Sequence, residues 1–321
     1  MFRKSINLDK YTKMPEKGEA QVCVDIKKIN TENIVDAVKI LKNIYDVVRI
    51  VDPVQNTILH IKDRKSPAVL REGACYAIWK KNKFCDNCIS YRAIKEKDTF
   101  VKFEVIDERV YMITASPVEY QDGCYVVEML TDITGKGVLE SMAGESTEDF
   151  TNLVLRLNDA LVRDELTKIF NRRYINERLP IEIFHSIANA NPAALVIIDI
   201  DKFKNKNDMY GHIAGDAILE QFAYLLMNGV QEERDWVARY GGEEFLLYLH
   251  NRNLEQAVTV AEQIRKAIEC TQFTIPSGFV NITCSLGICI LEKEMTMTEW
   301  IDCADKKLYE AKATGGNRIV V

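Results

Sequence analysis

From Asp164 to the C-terminus, apolar runs and amphipathic stretches alternate in one fixed order, and that order limits the folds open to the chain. Residues 193–200, Ala-Ala-Leu-Val-Ile-Ile-Asp-Ile, read as a strand buried on both faces. A helix is expected over 215–227. Two strands over 236–240 and 245–249 flank Gly241-Gly242-Glu243-Glu244. Leu254, Val258, Ala261, Ile264 and Ile268 recur at helical spacing. Residues 281–290 read as a further strand and 297–311 as a last helix. Strand, helix, strand, strand, helix, strand is the split βαβ arrangement of an α+β fold.

The polar residues fall at telling places on that frame. Asp199-Ile200-Asp201 ends the apolar strand, and the carboxyl ends of buried strands are where open α/β sheets place ligands. Two acids flanking one apolar residue repel unless a cation sits between them and the hairpin acids. Hard divalent cations take oxygen ligands, often carboxylates together with substrate phosphates. Gly241 and Gly242 allow positive φ, and so a sharp turn between two strands. A structural hairpin has no need of the adjacent like charges Glu243 and Glu244. Residues 203–216 then supply amides and a carboxyl able to read a base edge, lysines for phosphate, and glycines that permit close approach.

Five segments carry a resemblance: Asp164-Glu165-Leu166-Thr167 with Asn171-Arg172-Arg173; residues 199–216; Arg239 through Phe245; Ser285-Leu286-Gly287; and Ala304-Asp305 through Lys312. Their order and spacing resemble the GGDEF family of diguanylate cyclases over residues 160–321. The resemblance implies a ferredoxin-like palm core and the condensation of two GTP into cyclic di-GMP with release of two pyrophosphates. It implies magnesium or manganese held by Asp199, the Ile200 carbonyl, Glu243 and Glu244. Glu243 is also the family's candidate proton acceptor. Asn207 and Asp216 match guanine readers, and His212 a position near ribose and base. Lys204 and Lys312 match phosphate contacts, with the backbone amides of Lys202 and Phe203 cradling the β- and γ-phosphates. One such domain binds one GTP, so the resemblance implies a homodimer. The alternative is a weak or inactive GGDEF domain that binds GTP or cyclic di-GMP as a relay.

Two departures bear on function. Gly316 stands where many members carry a phosphate-binding Arg. In the stretch matching the family's inhibitory product site, Glu232 replaces the Arg of the Arg-x-x-Asp pattern that ends here in Asp235, and a carboxylate there repels phosphate. Weak or absent product inhibition is expected.

The chain's 321 residues suit about two domains. The zones expected are an extension over 1–30, a first domain over 31–135, a helical linker over 136–163 and the cyclase-like domain over 164–321. In the first domain, 34–44 reads as a helix. Residues 47–51, 100–105, 111–116 and 125–130 read as strands, a small antiparallel sheet with helices on one side. Its order of elements and its ending in Thr131-Asp132-Ile133-Thr134 resemble PAS sensor domains, which implies a sensory ligand of unknown identity. Cys75, Cys85 and Cys88 cluster there, with Cys124 as a candidate fourth ligand. They could hold zinc, an iron–sulfur centre or a switchable disulfide, or pack as small hydrophobes. Phe150, Leu153, Leu157 and Leu161 form a helical stripe, read either as packing on its own domain or as a short coiled coil between two chains.

Composition narrows the classes. Charged residues make up 28% and the net charge is −6, which argues against a nucleic-acid polymer as partner. Up to Glu140 there are 23 basic and 21 acidic residues, and beyond it 19 and 27, so the acid lies in the half expected to bind nucleotide. Bound metal inverts that local charge. No stretch has the length or apolarity of a signal peptide or membrane span, and nine cysteines without secretory context read as mostly reduced thiols in the cytoplasm.

Overall fold

A computed structural model describes residues 41, 44–63, 73–80, 83–107, 109–120, 123–134, 147–230 and 232–321. Of the helix expected over 34–44, all but Leu41 and Ile44 lies outside these residues, as do the extension over 1–30 and most of the first part of the linker. The chain divides into two compact units, with the boundary between Leu161 and Val162.

The first unit contains β1 (Val47–Asp52), β2 (Thr57–Asp63), a 3-10 turn (Cys75–Trp79), α1 (Ile89–Glu96), β3 (Phe100–Ile106), β4 (Arg109–Tyr120), β5 (Gly123–Asp132) and α2 (Thr147–Val162). The strands form one antiparallel sheet ordered β2-β1-β5-β4-β3. On one face Val47, Val51, Ile113, Ala115, Val126 and Leu130 pack with Trp79, Ile89 and Ala93. Buried charges share this face. Arg49 bonds Glu128 at 2.5 Å and donates to the Cys75 carbonyl at 2.7 Å, while Ser90 donates to the same carboxylate. Lys102 pairs with Glu104 at 2.8 Å. Removing one partner of such a pair costs about 3–5 kcal/mol, because the other charge stays buried.

Helix α2 buries Val154 against Val110 and Ile133, and Asn158 bonds both Phe103 and Asn87. Leu153 and Leu157 stay 47% and 54% exposed, and Leu161 is exposed as well. The expected stripe is therefore not the face on which α2 packs; the side chain of Phe150 lies outside the described residues.

The second unit contains α3 (Arg172–Asn189), β6 (Ala193–Ile200), α4 (Phe203–Tyr210), α5 (His212–Gly229), β7 (Trp236–Arg239), β8 (Glu244–His250), α6 (Leu254–Cys270), β9 (Phe273–Ile275), β10 (Gly278–Val280), β11 (Cys284–Ile290), α7 (Met297–Ala313) and β12 (Ile319–Val320). The main sheet is ordered β12-β11-β6-β8-β7. Its β11-β6-β8-β7 part is antiparallel, as the split βαβ reading requires, and β12 adds in parallel beside β11. β6 is buried along its whole length, between β11 and β8 in the sheet and beneath helices on both faces, which explains its apolar run up to Ile198. One face is covered by Ile218 and Phe222 of α5 and Ala261 and Ile264 of α6. The other is covered by Ile175 and Leu179 of α3 and Trp300 and Leu308 of α7. Cys289 of β11 and Cys303 of α7 form a disulfide, so the expectation of reduced thiols fails for that pair.

Gly287 sets how closely α7 lies on β11. A Cβ there would stand 2.2 Å from the Ala304 carbonyl oxygen and 2.3 Å from the Leu308 nitrogen. Both are backbone atoms that cannot rotate away. Gly287→Ala is expected to destabilise the unit by about 1–3 kcal/mol, as overpacked cores do; a melting temperature equal to wild type by calorimetry would contradict this close contact.

Candidate active site

Asp199 sits one residue from the end of β6, where it pairs in register with Glu244 of β8 and Ser285 of β11. It is only 3% exposed. One carboxylate oxygen, Oδ2, accepts from the Lys312 ammonium at 2.6 Å. The other, Oδ1, is buried without a hydrogen-bond partner. Burial pushes this carboxyl up to about 6, and the charges of Glu243 and Glu244 push the same way against Lys312. Three carboxylates and one ammonium thus converge at the sheet end.

The turn carrying Glu243 and Glu244 is built differently from expectation. Neither Gly241 nor Gly242 has positive φ. Gly241 leaves room for the Glu244 carboxylate: a Cβ would stand 2.7 Å from its Oε2 and would displace that end of the side chain. The turn is held by Arg239, whose Nε and Nη2 donate to the Gly242 carbonyl at 3.1 and 2.7 Å. Its Nη1 reaches Oδ1 of Asp164 at 3.0 Å. Asp164 also accepts from the Thr167 amide and hydroxyl. Burial opposes ionisation of Asp164, but these bonds and Arg239 hold its carboxyl below the usual range. The sequence displayed both segments without showing that one clamps the other.

Asp201 has another role than the repulsion argument suggested. Its carboxylate accepts from Thr283 Oγ1 at 2.7 Å, Ser285 Oγ at 2.6 Å and the Asn317 amide at 2.9 Å. It ties the segment after α7 to the sheet and does not need a cation for balance. Gly316 lies in that segment at φ 76°, where a Cβ would stand 3.0 Å from the Asp201 carboxylate.

The remaining predicted residues lie on α4 and α5. Lys202 caps α4 in the left-handed region at φ 56°, and Phe203 is buried as its anchor. Lys204, His212 and Asp216 are exposed. Asn207 Oδ1 is buried without a partner and lies 1.9 Å from where a Cβ on Gly215 would be, beside Asp216. The four N-terminal cysteines belong to the other unit. Among the described residues no group of three or more His, Cys, Asp or Glu is placed to hold a metal ion in the ligand-free chain. Burial raises the Cys124 thiol, with the charges of Glu119 and Asp52 pushing the same way and Lys97 opposing.

At the opposite end of β7 and β8, Arg252 pairs with Asp235 at 3.5 Å and Glu232 at 3.7 Å. Asp235 also accepts from the His250 amide at 2.6 Å. Burial pushes its carboxyl up to about 6, although that bond and Arg252 oppose it. A folded pKa above the unfolded value means the folded chain holds the proton more tightly. Stability from Asp235 is therefore full below about pH 4 and lost as pH rises through 6. Asp235→Asn should gain on wild type between pH 4 and 6 in denaturant titrations and hold a constant advantage above; a pH-independent difference would refute the shift.

The comparisons agree with this geometry. Residues 161–318 match the family described as "Diguanylate cyclase, GGDEF domain". Response regulator PleD of Caulobacter vibrioides is 36% identical over 162 residues, covering 50% of this chain and 36% of that protein. Diguanylate cyclase A of Treponema denticola is 40% identical over 129 residues, 40% of this chain and 34% of that protein. The chain thus spans about a third of the length of these curated relatives. The crystal structure of diguanylate cyclase SiaD with its activator SiaC from Pseudomonas aeruginosa aligns with TM-score 0.50 and 31% identity, over 57% of this chain and 70% of that one. With their split βαβ sheet and the acidic turn leading into β8, residues 161–318 of this chain belong to the GGDEF family.

Proposed function

We propose that the chain is a diguanylate cyclase that condenses two GTP into cyclic di-GMP and two pyrophosphates. The observation that carries this reading is Asp199, a buried carboxylate with an orphaned oxygen, gathered with Glu243 and Glu244 at the end of the sheet. An all-oxygen donor set with mutual repulsion fits magnesium or manganese. Asp199, the Ile200 carbonyl, Glu243 and Glu244 are the residues that would hold it. Such an ion, when bound, lowers the pKa of a hydroxyl and neutralises phosphate charge.

The chain's own groups supply the rest. The Arg239 clamp keeps Glu243 and Glu244 aimed at the Asp199 end of β6. Glu243 is half-buried beside that cluster, which supports it as the acceptor of the 3′-hydroxyl proton. The first turn of α4 offers the amides of Lys202 and Phe203 to the phosphates, with Lys204 alongside. Lys312 rests on Asp199 and carries the charge a phosphate would share. The orphaned Asn207 Oδ1 can accept from the guanine amino edge, and Asp216 beside it can accept from the same edge. An adenine would leave those acceptors unpaired, which disfavours ATP. Each 3′-hydroxyl attacks the α-phosphate of the other nucleotide, so two copies must face one another. The exposed Leu153 and Leu157 of α2 support pairing of two chains. The antiparallel sheet of the first unit supports the PAS-like reading, in which that unit senses a ligand and regulates the cyclase. No described helix is long and apolar enough to cross a membrane.

Purified protein given GTP and magnesium should yield cyclic di-GMP and pyrophosphate, and Glu244→Ala should lose at least about 100-fold, the scale of one lost charge-stabilising group. No product from wild type, with Glu244→Ala indistinguishable from it, overturns the enzyme and leaves the relay reading; equal product from Glu244→Ala overturns the role given to Glu244. Added cyclic di-GMP should leave the initial rate unchanged, since Arg252 already occupies Glu232 and Asp235; strong inhibition that disappears in Arg234→Ala would refute this.

A further inference from the structure

One cation beside the acidic turn is left over from the pairings that hold it. Arg239 is committed to Asp164 and to the Gly242 carbonyl, and Arg173 pairs with Glu177 at 3.0 Å. Arg172 is exposed, and among the described residues no carboxylate pairs with it. Its guanidinium lies instead over the Tyr240 ring, 4.7 Å from the ring centre.

Both sides of this contact are fixed to the turn. Tyr240 directly precedes Gly241, and its amide donates to the Glu244 carbonyl at 2.8 Å. Phe170, two residues before Arg172, donates to the Val237 carbonyl and accepts from the Arg239 amide at 2.7 Å. The start of α3 is thereby tied to β7, and the arginine is held against the segment that carries Glu243 and Glu244. The helix itself does not call for it. Arg172 opens α3, whose first turn holds no acid, and the positive end of a helix dipole disfavours a cation. A guanidinium oriented by an aromatic ring, with no acid of its own chain, suits an anion arriving from outside.

Its place in the sheet says which anion. Lys312 meets Asp199 on β6, and the first turn of α4 follows that strand. Arg172 lies at the end of β7, with β8 and its turn in between. Two strand spacings, roughly 10 Å, separate the two flanks. Phosphates bound by α4 and Lys312 therefore have the acidic turn between them and Arg172.

We propose that Arg172 binds the triphosphate of the nucleotide carried by the facing copy of the chain. This rests on the cyclase reading, in which each 3′-hydroxyl attacks the α-phosphate of the other nucleotide. The bond from the 3′-oxygen to phosphorus forms, the hydroxyl proton goes to Glu243, and pyrophosphate leaves with the electron pair of the bond that breaks. Negative charge on the phosphate oxygens is what a guanidinium stabilises, by two parallel N–H donors. The contact is made only across the two copies, so it raises turnover and adds nothing to the binding of nucleotide by one copy.

The test uses the full chain with GTP and magnesium, and with 3′-deoxyguanosine triphosphate, which lacks the attacking hydroxyl. Arg172→Met keeps an aliphatic contact with Tyr240 and removes the charge. It should lower kcat at least about 100-fold, and Arg172→Lys should recover part of that loss. In protein too dilute for its copies to associate, Arg172→Met should bind the 3′-deoxy nucleotide as wild type does, by calorimetry. Manganese bound together with that nucleotide, read by electron paramagnetic resonance, should also match wild type. Equal turnover by wild type and Arg172→Met overturns this proposal alone, whereas no product from wild type overturns the cyclase reading and this proposal with it. Weaker nucleotide binding by dilute Arg172→Met places the contact within one copy, and weaker manganese binding makes Arg172 a brace for the turn; either result overturns the proposal.

Discussion

The pairing of β6 with β8 places Asp199 opposite Glu244, and much of the second unit can be understood as holding that juxtaposition in place. Carboxylates repel one another, and burial strengthens the repulsion because the interior screens charge poorly. Left alone, such an arrangement would splay. Hydrogen bonds on either side prevent it. Arg239 grips the turn through Gly242 and is itself braced by Asp164. Asp201, satisfied by Thr283, Ser285 and the Asn317 amide, fixes the chain beyond α7 and so the approach of Lys312. The charge density that makes the site unfavourable by itself is what suits it to a divalent cation and a polyphosphate.

The first unit handles buried charge by pairing within itself. Arg49 pairs with Glu128 and Lys102 with Glu104, and each cation lies within 5.5 Å of the centre of the Trp79 ring. Both of these acids are matched by cations of the same unit.

Much of the second unit was legible in sequence because each element repeats its own period. The run 193–198 is apolar throughout since helices cover both faces of the sheet there, and α6 and α7 show their stripes plainly. α3 was not visible. Its apolar residues Ile175, Leu179 and Ile183 are accompanied by buried Glu177, Arg178 and Glu182 and interrupted by Pro180, which reads against a helix interior. α4 was missed because only Phe203 of its eight residues is buried. In the first unit, β2 and α1 escaped for related reasons: α1 buries Ser90 and Arg92 beside its apolar residues.

Chain order and residue type alone determined the split βαβ topology and the acidic, glycine-bearing segments of the site. Local periodicity and spacing record them directly. Only the tertiary structure decided which acid does what. Asp199 and Asp201 are alike in sequence and two residues apart, yet one keeps an unpartnered oxygen and the other is saturated by hydroxyls and an amide from distant segments. In the same way, Gly241 gives room to the Glu244 carboxylate and does not use a positive backbone angle. Such differences arise from groups far apart in the chain that meet only once it folds, and no local pattern encodes them.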